Sequence, residues 1–210
     1  MGSESNVSEE KLRIRTPEER EQHADGLKEL KTILDSKNVP FFLGGGTLLG
    51  AYRDGGFIPW DWDISINLRF EDVKGRNREL VEAFVAEGFV IDESQTRSVK
   101  DGWKISLFKY GIKYELLSWH LKESWRYRRG KRIEDRFFTC AESISFYGQI
   151  FPCFGPIEDF LTHHYGDWRT PKRTADKREY NSPEFYAPPS LSKRIKSFAR
   201  KVAHLVTRSG

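Results

Sequence analysis

The stretch that decides the fold is FFLGGGTLLGAYRDGGFIPWDWDISIN, residues 41–67. It begins with a short apolar strand, three glycines and one helical turn that carries Arg53. A second glycine turn follows, and then a strand that presents Asp61 and Asp63. A glycine-rich turn at the start of a helix offers backbone N–H groups to a phosphate. Carboxylates at positions i and i+2 project from one face of a strand, and such a pair can bind Mg²⁺. The pattern therefore predicts a metal-dependent site for a phosphorylated ligand.

The composition sets the broad class of the protein. The chain has 210 residues, of which 38% are hydrophobic and 31% charged, so it is long enough for one globular domain with a core. The formal net charge of +4 favours anionic partners, which include nucleotides, nucleic acid and acidic lipid. The sequence carries no apolar run of signal-peptide or transmembrane length, so we expect a cytoplasmic protein.

The two cysteines, Cys140 and Cys153, lie in apolar, strand-like surroundings without a C-x-x-C motif or a nearby histidine cluster. This spacing argues against a zinc site. In a reducing compartment, two buried free thiols are a better interpretation than a disulfide.

Along the chain, helices alternate with strands first and hairpins follow, which predicts an α+β (mixed α/β) domain over residues 16–189. Thr16 and Glu19 form a capping-box pattern that begins a helix ending near Lys37. Residues 1–15 are polar and are predicted to be a mobile N-terminal segment.

The last segment, residues 190–210, is predicted to form a basic amphipathic helix. Its apolar residues recur at helical spacing, lysines and arginines fill the other positions, and no acidic residue follows Glu184. Such a helix suits an anionic membrane surface, and we expect a peripheral position on the inner face of a membrane. The alternative is a helix packed on the domain with a solvated basic face.

Each part of the central stretch also has an ordinary structural interpretation. Asp61 and Asp63 can be solvated aspartates at a sheet edge, the glycines can form only a tight turn, and Arg53 can pair with Asp54. The functional interpretation is favoured because the paired carboxylates directly follow a glycine-rich strand–turn–helix unit.

Two segments together resemble the LicD family, which includes the fukutin-related proteins. The first, LGGGTLLGAYRDGGFIPWDWDISI, is similar to the family signature of G-T-L-L-G, an arginine, G-F-I-P-W-D and further aspartates. The second, FYGQIFPCFGPIEDFLTHHYGDWRTP, resembles the family's closing pattern of P-x-E-x-x-L and Y-G-x-x-W. The two matches bracket residues 41–171, which is nearly the whole expected core.

The resemblance implies a nucleotidyltransferase-like fold with a small mixed sheet flanked by helices. It implies transfer of a phospho-alcohol, such as phosphocholine, ribitol phosphate or glycerol phosphate, from a CDP-activated donor to a hydroxyl of a glycan or lipid-linked glycan. CMP would be released with the help of Mg²⁺ or Mn²⁺. The positions that match the family's functional residues are Gly45, Gly46, Thr47, Arg53, Asp61 and Asp63.

The chain departs from the family pattern at Ser65, where many members have a third aspartate. A serine binds Mg²⁺ weakly and is no strong base. In this fold another acid usually comes from a later strand, and the candidate is Glu115, which would join Asp61 and Asp63 as a metal ligand. The alternative for Glu115 is a strand glutamate that faces solvent.

Three further features have two interpretations each. Lys104 is expected to contact the donor, although a lysine is more often a surface residue. Trp168 can stack on a cytosine or a sugar, or can fix its loop to the core. The basic residues of 124–136 suit either a solvated loop or the rim of an active site. His163 and His164 are adjacent on a helix, point in different directions and are not expected to share a metal.

The mechanism that follows is positional and electrostatic, with Asp63 accepting the proton of the acceptor hydroxyl and the glycine turn and Arg53 stabilising phosphate charge. Two other enzymatic activities remain open, transfer of a nucleotide and transfer of a sugar phosphate. A catalytically inactive module that binds glycans or nucleotides is an alternative because of Ser65. A nucleic-acid partner is not expected, since only the charge and the basic stretch favour it.

Overall fold

The computed structural model describes residues 12–96 and 103–188. Its strands are β1 (Phe42–Leu43), β2 (Asp63–Arg69), β3 (Val90–Ile91), β4 (Lys104–Lys109), β5 (Ile112–Lys122), β6 (Trp125–Arg128), β7 (Lys131–Glu134), β8 (Glu142–Phe146) and β9 (Gln149–Cys153). Its α-helices are α1 (Pro17–Ser36), α2 (Gly45–Leu49), α3 (Phe70–Val73), α4 (Asn77–Ala86), α5 (Arg136–Thr139), α6 (Ile157–Tyr165) and α7 (Lys177–Tyr180). A π-helical turn over Gly50–Asp54 continues α2, and a 3₁₀ turn covers Pro183–Phe185.

The described strands form one mixed sheet, which confirms the predicted mixed α/β class. Its main path runs β3-β4-β5-β2-β1-β9-β8, and the β6–β7 hairpin extends from β5. The pairs β2–β5 and β1–β9 are parallel, and the other pairs are antiparallel. With nine strands, the sheet is larger than the small sheet that the resemblance implies.

The register between β2 and β5 positions the polar residues of the sheet. Asp63 pairs with Lys113, and Ser65 pairs with Glu115. Because side chains alternate between the two faces of a strand, these four residues share one face. The intervening residues of β2, such as Ile64 and Ile66, are fully buried on the opposite face. The alternation predicted for β2 is thus confirmed.

Helix α1 begins as the capping-box pattern predicts. The backbone N–H of Glu19 donates to Thr16 Oγ1 over 3.2 Å, and the backbone N–H of Thr16 donates to the Glu19 carboxylate over 2.8 Å. Helix α1 contains a glycine, Gly26, that packs against Tyr114 of β5. The Tyr114 hydroxyl donates to the backbone carbonyl of His23 over 3.0 Å. The helix therefore approaches the sheet closely at this turn.

We expect Gly26→Ala to destabilise the protein, although alanine normally favours a helix interior by about 1 kcal/mol. A Cβ atom at residue 26 would lie 2.1 Å from the Tyr114 hydroxyl oxygen. The buried tyrosine would have to shift, so we expect a loss of about 1–3 kcal/mol in the free energy of unfolding. Urea denaturation measures this free energy. Thr32→Ala, on the exposed side of α1, is the control and should be as stable as the original chain. A gain in stability for Gly26→Ala would contradict the packing described.

The stability of the protein is expected to fall in weak acid because His23 is buried. Burial and the nearby Arg15 lower the pKa of His23 to about 4, and His23 Nδ1 has no hydrogen-bond partner among the described residues. The folded protein favours the neutral imidazole of His23, whereas the unfolded chain takes up a proton near pH 6.5. The free energy of unfolding is therefore highest above about pH 6.5 and falls by up to about 3 kcal/mol as the pH is lowered towards 4. Urea denaturation at pH 7 and at pH 5 measures this fall. The free energy of unfolding should decrease less between the two pH values in His23→Leu than in the original chain. Equal losses would refute this assignment.

Several predictions from the sequence are corrected by the structure. The spacing of Val73, Leu80 and Phe84 predicts one helix over residues 72–87. The structure divides it into α3 and α4, because Gly75 between them has a φ of 79° that ends the first helix. Cys140 is exposed at the end of α5 and is not buried, whereas Cys153 is buried; both thiols are free. The basic stretch forms the β6–β7 hairpin, which turns at Arg129 and Gly130 with φ values of 46° and 77°.

The ends of the chain lie partly outside the described residues. Of the predicted mobile segment 1–15, residues 12–15 are described and pack on the domain. Arg15 is buried, and its backbone N–H donates to the Pro59 carbonyl over 2.8 Å. The predicted basic helix over 190–210 falls outside the described residues. Over residues 12–96 and 103–188, no helix combines the length and the apolar character needed to span a bilayer.

Candidate active site

One cavity collects most of the residues predicted from the sequence. It lies on the sheet face at β2 and β5, between the α2 turn, the β6–β7 hairpin and the segment after α6. The predicted residues that line it are Gly45, Gly46, Arg53, Asp61, Asp63, Glu115 and Trp168. The lining does not include Thr47 and Lys104. Gly45 and Trp168, which are 123 positions apart in the chain, thus meet at one site.

Asp61 and Asp63 place two carboxylates in this cavity. The backbone N–H of Asp61 donates to the Ile58 carbonyl over 2.9 Å, and Asp61 Oδ1 accepts from the backbone N–H of Trp62 over 3.0 Å. Enclosure in the cavity raises the pKa of Asp61, and the neighbouring Asp63 raises it further. Enclosure likewise raises the pKa of Asp63, with Glu115 as the next cause. The pair thus carries negative charge that a cation or a proton would stabilise.

The glycines allow the helix to approach the first carboxylate. A Cβ atom at Gly46 would lie 2.0 Å from Asp61 Oδ2, so no larger residue fits there without moving Asp61. Gly45 has a φ of 59°, which is costly for other residues. Thr47 is buried beneath the site, where its hydroxyl accepts from the backbone N–H of Ser65 over 3.0 Å. The structure therefore places Thr47 as a link between α2 and β2, away from the cavity.

Arg53 and Trp168 form one unit at the cavity wall. The Arg53 guanidinium donates two hydrogen bonds to the carboxylate of Asp54, each of 2.8 Å, and a third to the Trp168 carbonyl over 3.1 Å. The indole N–H of Trp168 donates to Thr162 Oγ1 over 3.2 Å. Arg53 and Trp168 therefore both line the cavity and both hold the loop after α6 in place. These contacts are compatible with the functional and the structural interpretation of each residue.

Glu115 lies between two lysines. Its Oε1 atom is 2.6 Å from Lys104 Nζ and 2.7 Å from Lys113 Nζ, and all three side chains are buried. Lys104 is therefore neither a surface residue nor part of the cavity wall, and burial lowers its pKa. These lysines, as the opposing charges, keep the pKa of Glu115 below its usual range in spite of burial. Glu115 thus holds Lys104 and Lys113 behind the site.

The fit of a divalent metal can be tested on these contacts. Over residues 12–96 and 103–188, no group of three or more histidine, cysteine, aspartate or glutamate side chains forms a metal-binding cluster. The expected triad with Glu115 is thus not assembled. Asp61 and Asp63 alone do fit a magnesium ion, which commonly takes one or two carboxylates and completes its shell with phosphate oxygens and water.

The sequence left the basic stretch 124–136 open as the rim of an active site, but, Arg53 apart, it singled out none of the cationic residues that line the cavity. Arg128 and Lys131, on either side of the β6–β7 turn, line the cavity, as does Lys177 at the start of α7. Burial lowers the pKa of Arg128 to about 10. Burial and the charges of Lys177 and Arg128 lower the pKa of Lys131 to about 7. A local signal was present, because a glycine between two short runs of strand-like residues indicates a β-hairpin.

Aromatic and uncharged polar residues complete the lining. Tyr165 and Tyr180 lie with their ring centroids 6.2 Å apart. His164 and Asn181 also line the cavity. The Nε atom of Arg128 is buried there without a hydrogen-bond partner among the described residues. Because an unpaired buried polar atom is costly, this position suits a polar ligand.

Comparison with known proteins gives a family match. The sequence model of the family described as LicD/FKTN/FKRP, nucleotidyltransferase domain, matches residues 38–153, which is more than half of the chain. Among solved structures, a crystal structure of ANT(2'')-Ia in complex with adenylyl-2''-tobramycin is similar with a TM-score of 0.44 and 15% identity. That alignment covers 63% of this chain and 69% of the other.

Curated relatives match over parts of their length. The ribitol 5-phosphate transferase FKRP of Homo sapiens is 43% identical over 61 residues, 29% of this chain and 12% of that protein. The ribitol-5-phosphate transferase FKTN of Mus musculus is 27% identical over 157 residues, 70% of this chain and 32% of that protein. The lipopolysaccharide cholinephosphotransferase LicD of Haemophilus influenzae is 45% identical over 47 residues, 20% of this chain and 18% of that protein. The chain thus spans a third or less of each of these relatives.

Proposed function

This chain belongs to the LicD family of nucleotidyltransferase domains, and from that premise we propose that it transfers a phospho-alcohol from a CDP-activated donor to a glycan hydroxyl and releases CMP. The names of its relatives support the reaction class, since two are ribitol phosphate transferases and one is a cholinephosphotransferase. The donor nucleotide, the alcohol and the acceptor of this chain are part of the proposal.

The observation that carries the proposal is that acidic and basic side chains line the same cavity. Asp61 and Asp63 lie with Arg128, Lys131 and Lys177 in its wall. Phosphoryl transfer needs cations to neutralise the phosphates and a carboxylate near the incoming hydroxyl. Lysine and arginine side chains in a partly enclosed site stabilise a diphosphate more strongly than they would in water.

We assign Asp61 and Asp63 as the residues that would hold Mg²⁺ or Mn²⁺. When bound, the ion would offset the charge of the donor diphosphate and of the two carboxylates. Glu115 is left out of this assignment because it is paired with Lys104 and Lys113. Its proposed role is to position the two lysines.

The protein groups act on the donor and acceptor as follows. Arg128, Lys131 and Lys177 bind the diphosphate and stabilise the charge that builds up on CMP as it leaves. The acceptor oxygen attacks the phosphorus that carries the alcohol, and the bond from that phosphorus to the CMP oxygen breaks. Asp63 accepts the proton of the hydroxyl by proximity more than by basicity, because a bound cation would keep the pKa of Asp63 low. Arg53 keeps the Trp168 loop closed beside the site.

The proposal is tested by incubating the purified full chain with Mg²⁺, CDP-ribitol, CDP-glycerol or CDP-choline, and a panel of oligosaccharides. We expect CMP release that needs one donor, one acceptor and the metal, and that stops on chelation. Release of pyrophosphate from CTP, or transfer from a nucleotide sugar, would instead favour the two alternative enzymatic activities. Donors that bind without any turnover would favour the inactive binding module.

The location of the protein in the cell is also part of the proposal. A lipid-linked acceptor would require the protein at a membrane, and the basic residues that favour this lie in 190–210, outside the described residues. Cytoplasmic location and peripheral attachment to an anionic membrane therefore stay predictions from the sequence.

A further inference from the structure

A second cavity adjoins the candidate active site and has a different chemical character. Arg53 and Trp60 line both cavities, and Trp60 directly precedes Asp61. The other lining residues include Arg20 of α1, Pro59, and Tyr147 at the turn between β8 and β9. The second cavity therefore opens beside the carboxylates that the proposed reaction uses.

The charges of the two cavities differ. In the active-site cavity, Arg128, Lys131 and Lys177 favour a phosphorylated ligand. In the second cavity Arg53 is neutralised by two hydrogen bonds to Asp54, so that Arg20 is the remaining cationic side chain of its lining. The second cavity is thus suited to an uncharged polar ligand more than to a diphosphate.

The aromatic residues of the second cavity are held in place. The ring of Tyr147 stacks on Phe57 with centroids 5.1 Å apart and an interplanar angle of 26°. The backbone N–H of Phe57 donates to the Tyr147 hydroxyl over 3.4 Å. Tyr147 also has a φ of 47°, an uncommon value for a tyrosine, so its position is fixed by the β8–β9 turn as well. Both Tyr147 and Trp60 are partly exposed.

We infer that this second cavity, formed by Arg20, Trp60 and Tyr147, is the subsite that binds the acceptor glycan. A sugar presents C–H groups, which pack on aromatic rings, and hydroxyls, which accept from a guanidinium and donate to a carboxylate such as Asp54. A glycan held here would bring its terminal hydroxyl past Trp60 to the aspartates. This inference rests on the proposed transfer to a glycan, because that reaction requires an uncharged polyhydroxyl ligand beside Asp63.

Binding of oligosaccharides to the full chain without donor tests the inference independently of turnover. The probes are labelled oligosaccharides of neutral hexoses, N-acetylhexosamines and pentoses, measured by equilibrium dialysis. The variants are Arg20→Gln and Tyr147→Asn, since asparagine tolerates a positive φ. The control is Arg78→Gln on the exposed face of α4, far from either cavity. We expect at least one probe to bind, and each variant to weaken it about tenfold while the control does not.

Binding of CDP-ribitol, CDP-glycerol and CDP-choline, measured in parallel, separates this inference from the proposed function. We expect Arg20→Gln to leave the affinity for the CDP-alcohol unchanged and to weaken only the oligosaccharide. Oligosaccharide binding that both variants leave intact, or the absence of binding by every probe, would overturn the acceptor subsite. Loss of oligosaccharide affinity in a protein that binds no CDP-alcohol would support the subsite and contradict the proposed transferase. Tyr147→Asn removes a packed ring, so Arg20→Gln decides the result if the other variant is unfolded.

Discussion

Asp63→Asn is expected to lower turnover by about 10³-fold or more, because the variant loses the proposed proton acceptor and one of two metal-binding carboxylates. The same change should leave the fold intact and raise the melting temperature. Enclosure disfavours the charged form of Asp63 and raises its pKa. At pH 7 the ionised carboxylate therefore costs folding free energy that the neutral amide avoids.

The measurement combines CMP release in the presence of Mg²⁺ with a thermal melt of the same preparation after divalent metal has been chelated. Asp25→Asn, an exposed residue of α1 that pairs with Lys28, is the matched control and should change neither quantity. Activity retained within a few-fold in Asp63→Asn would refute the assignment of Asp63. A large drop in the melting temperature would instead mean that Asp63 is structural.

Gly46→Ala has the second largest expected effect. The added Cβ would lie 2.0 Å from Asp61 Oδ2, so the carboxylate must move by more than an ångström. A displacement of that size at a catalytic group commonly costs about 10²-fold in rate. We expect such a loss in CMP release, with weaker dependence on Mg²⁺ because Asp61 is a proposed metal ligand.

The control for this variant is Gly75→Ala, which separates backbone strain from contact with the site. Gly75 has a φ of 79° and no atom within 4 Å of an added Cβ, so alanine there should cost about 1 kcal/mol of stability and no activity. Equal activity in Gly46→Ala and the original chain would show that Asp61 does not need its present position.

The sequence predicted the elements whose signals are local. The capping box of α1, the alternation of β2 and the strand–glycine–helix order around residues 41–67 all depend on residues close together in the chain, and the structure contains each of them. The mixed sheet flanked by helices followed from these elements and from the family resemblance.

The partners that come from distant strands could not be predicted in the same way. The contact of Glu115 with Lys104 depends on the register between β4 and β5, which the residue pattern alone does not specify. Lys113, in contrast, lies two residues before Glu115 on the same strand. Glu115 was expected near Asp63 as a third metal ligand. It does line the same cavity, but its carboxylate is paired with the two lysines. Thr47 was expected to face a phosphate, and its hydrogen bond to the Ser65 backbone depends on how α2 packs against β2.

The cationic wall could not be assigned residue by residue, because a run of arginines and lysines suits a solvated loop as well as the rim of an active site. In the structure Arg128 of the β6–β7 hairpin is buried, and it lines the cavity together with Lys131 of the same hairpin and Lys177 of α7. The turn signal at Arg129 and Gly130 predicts a hairpin, but its docking on the site is a tertiary contact with no local pattern.

The most direct test of the central claim is the mass of the glycan product formed with Mg²⁺ and the CDP-alcohol that supports CMP release. The proposed reaction predicts an acceptor whose mass increases by one phospho-alcohol, with one CMP released for each glycan modified and with neither product formed by Asp63→Asn. An acceptor that gains a cytidylyl group, or CMP that forms while every glycan keeps its original mass, would contradict phospho-alcohol transfer by this protein.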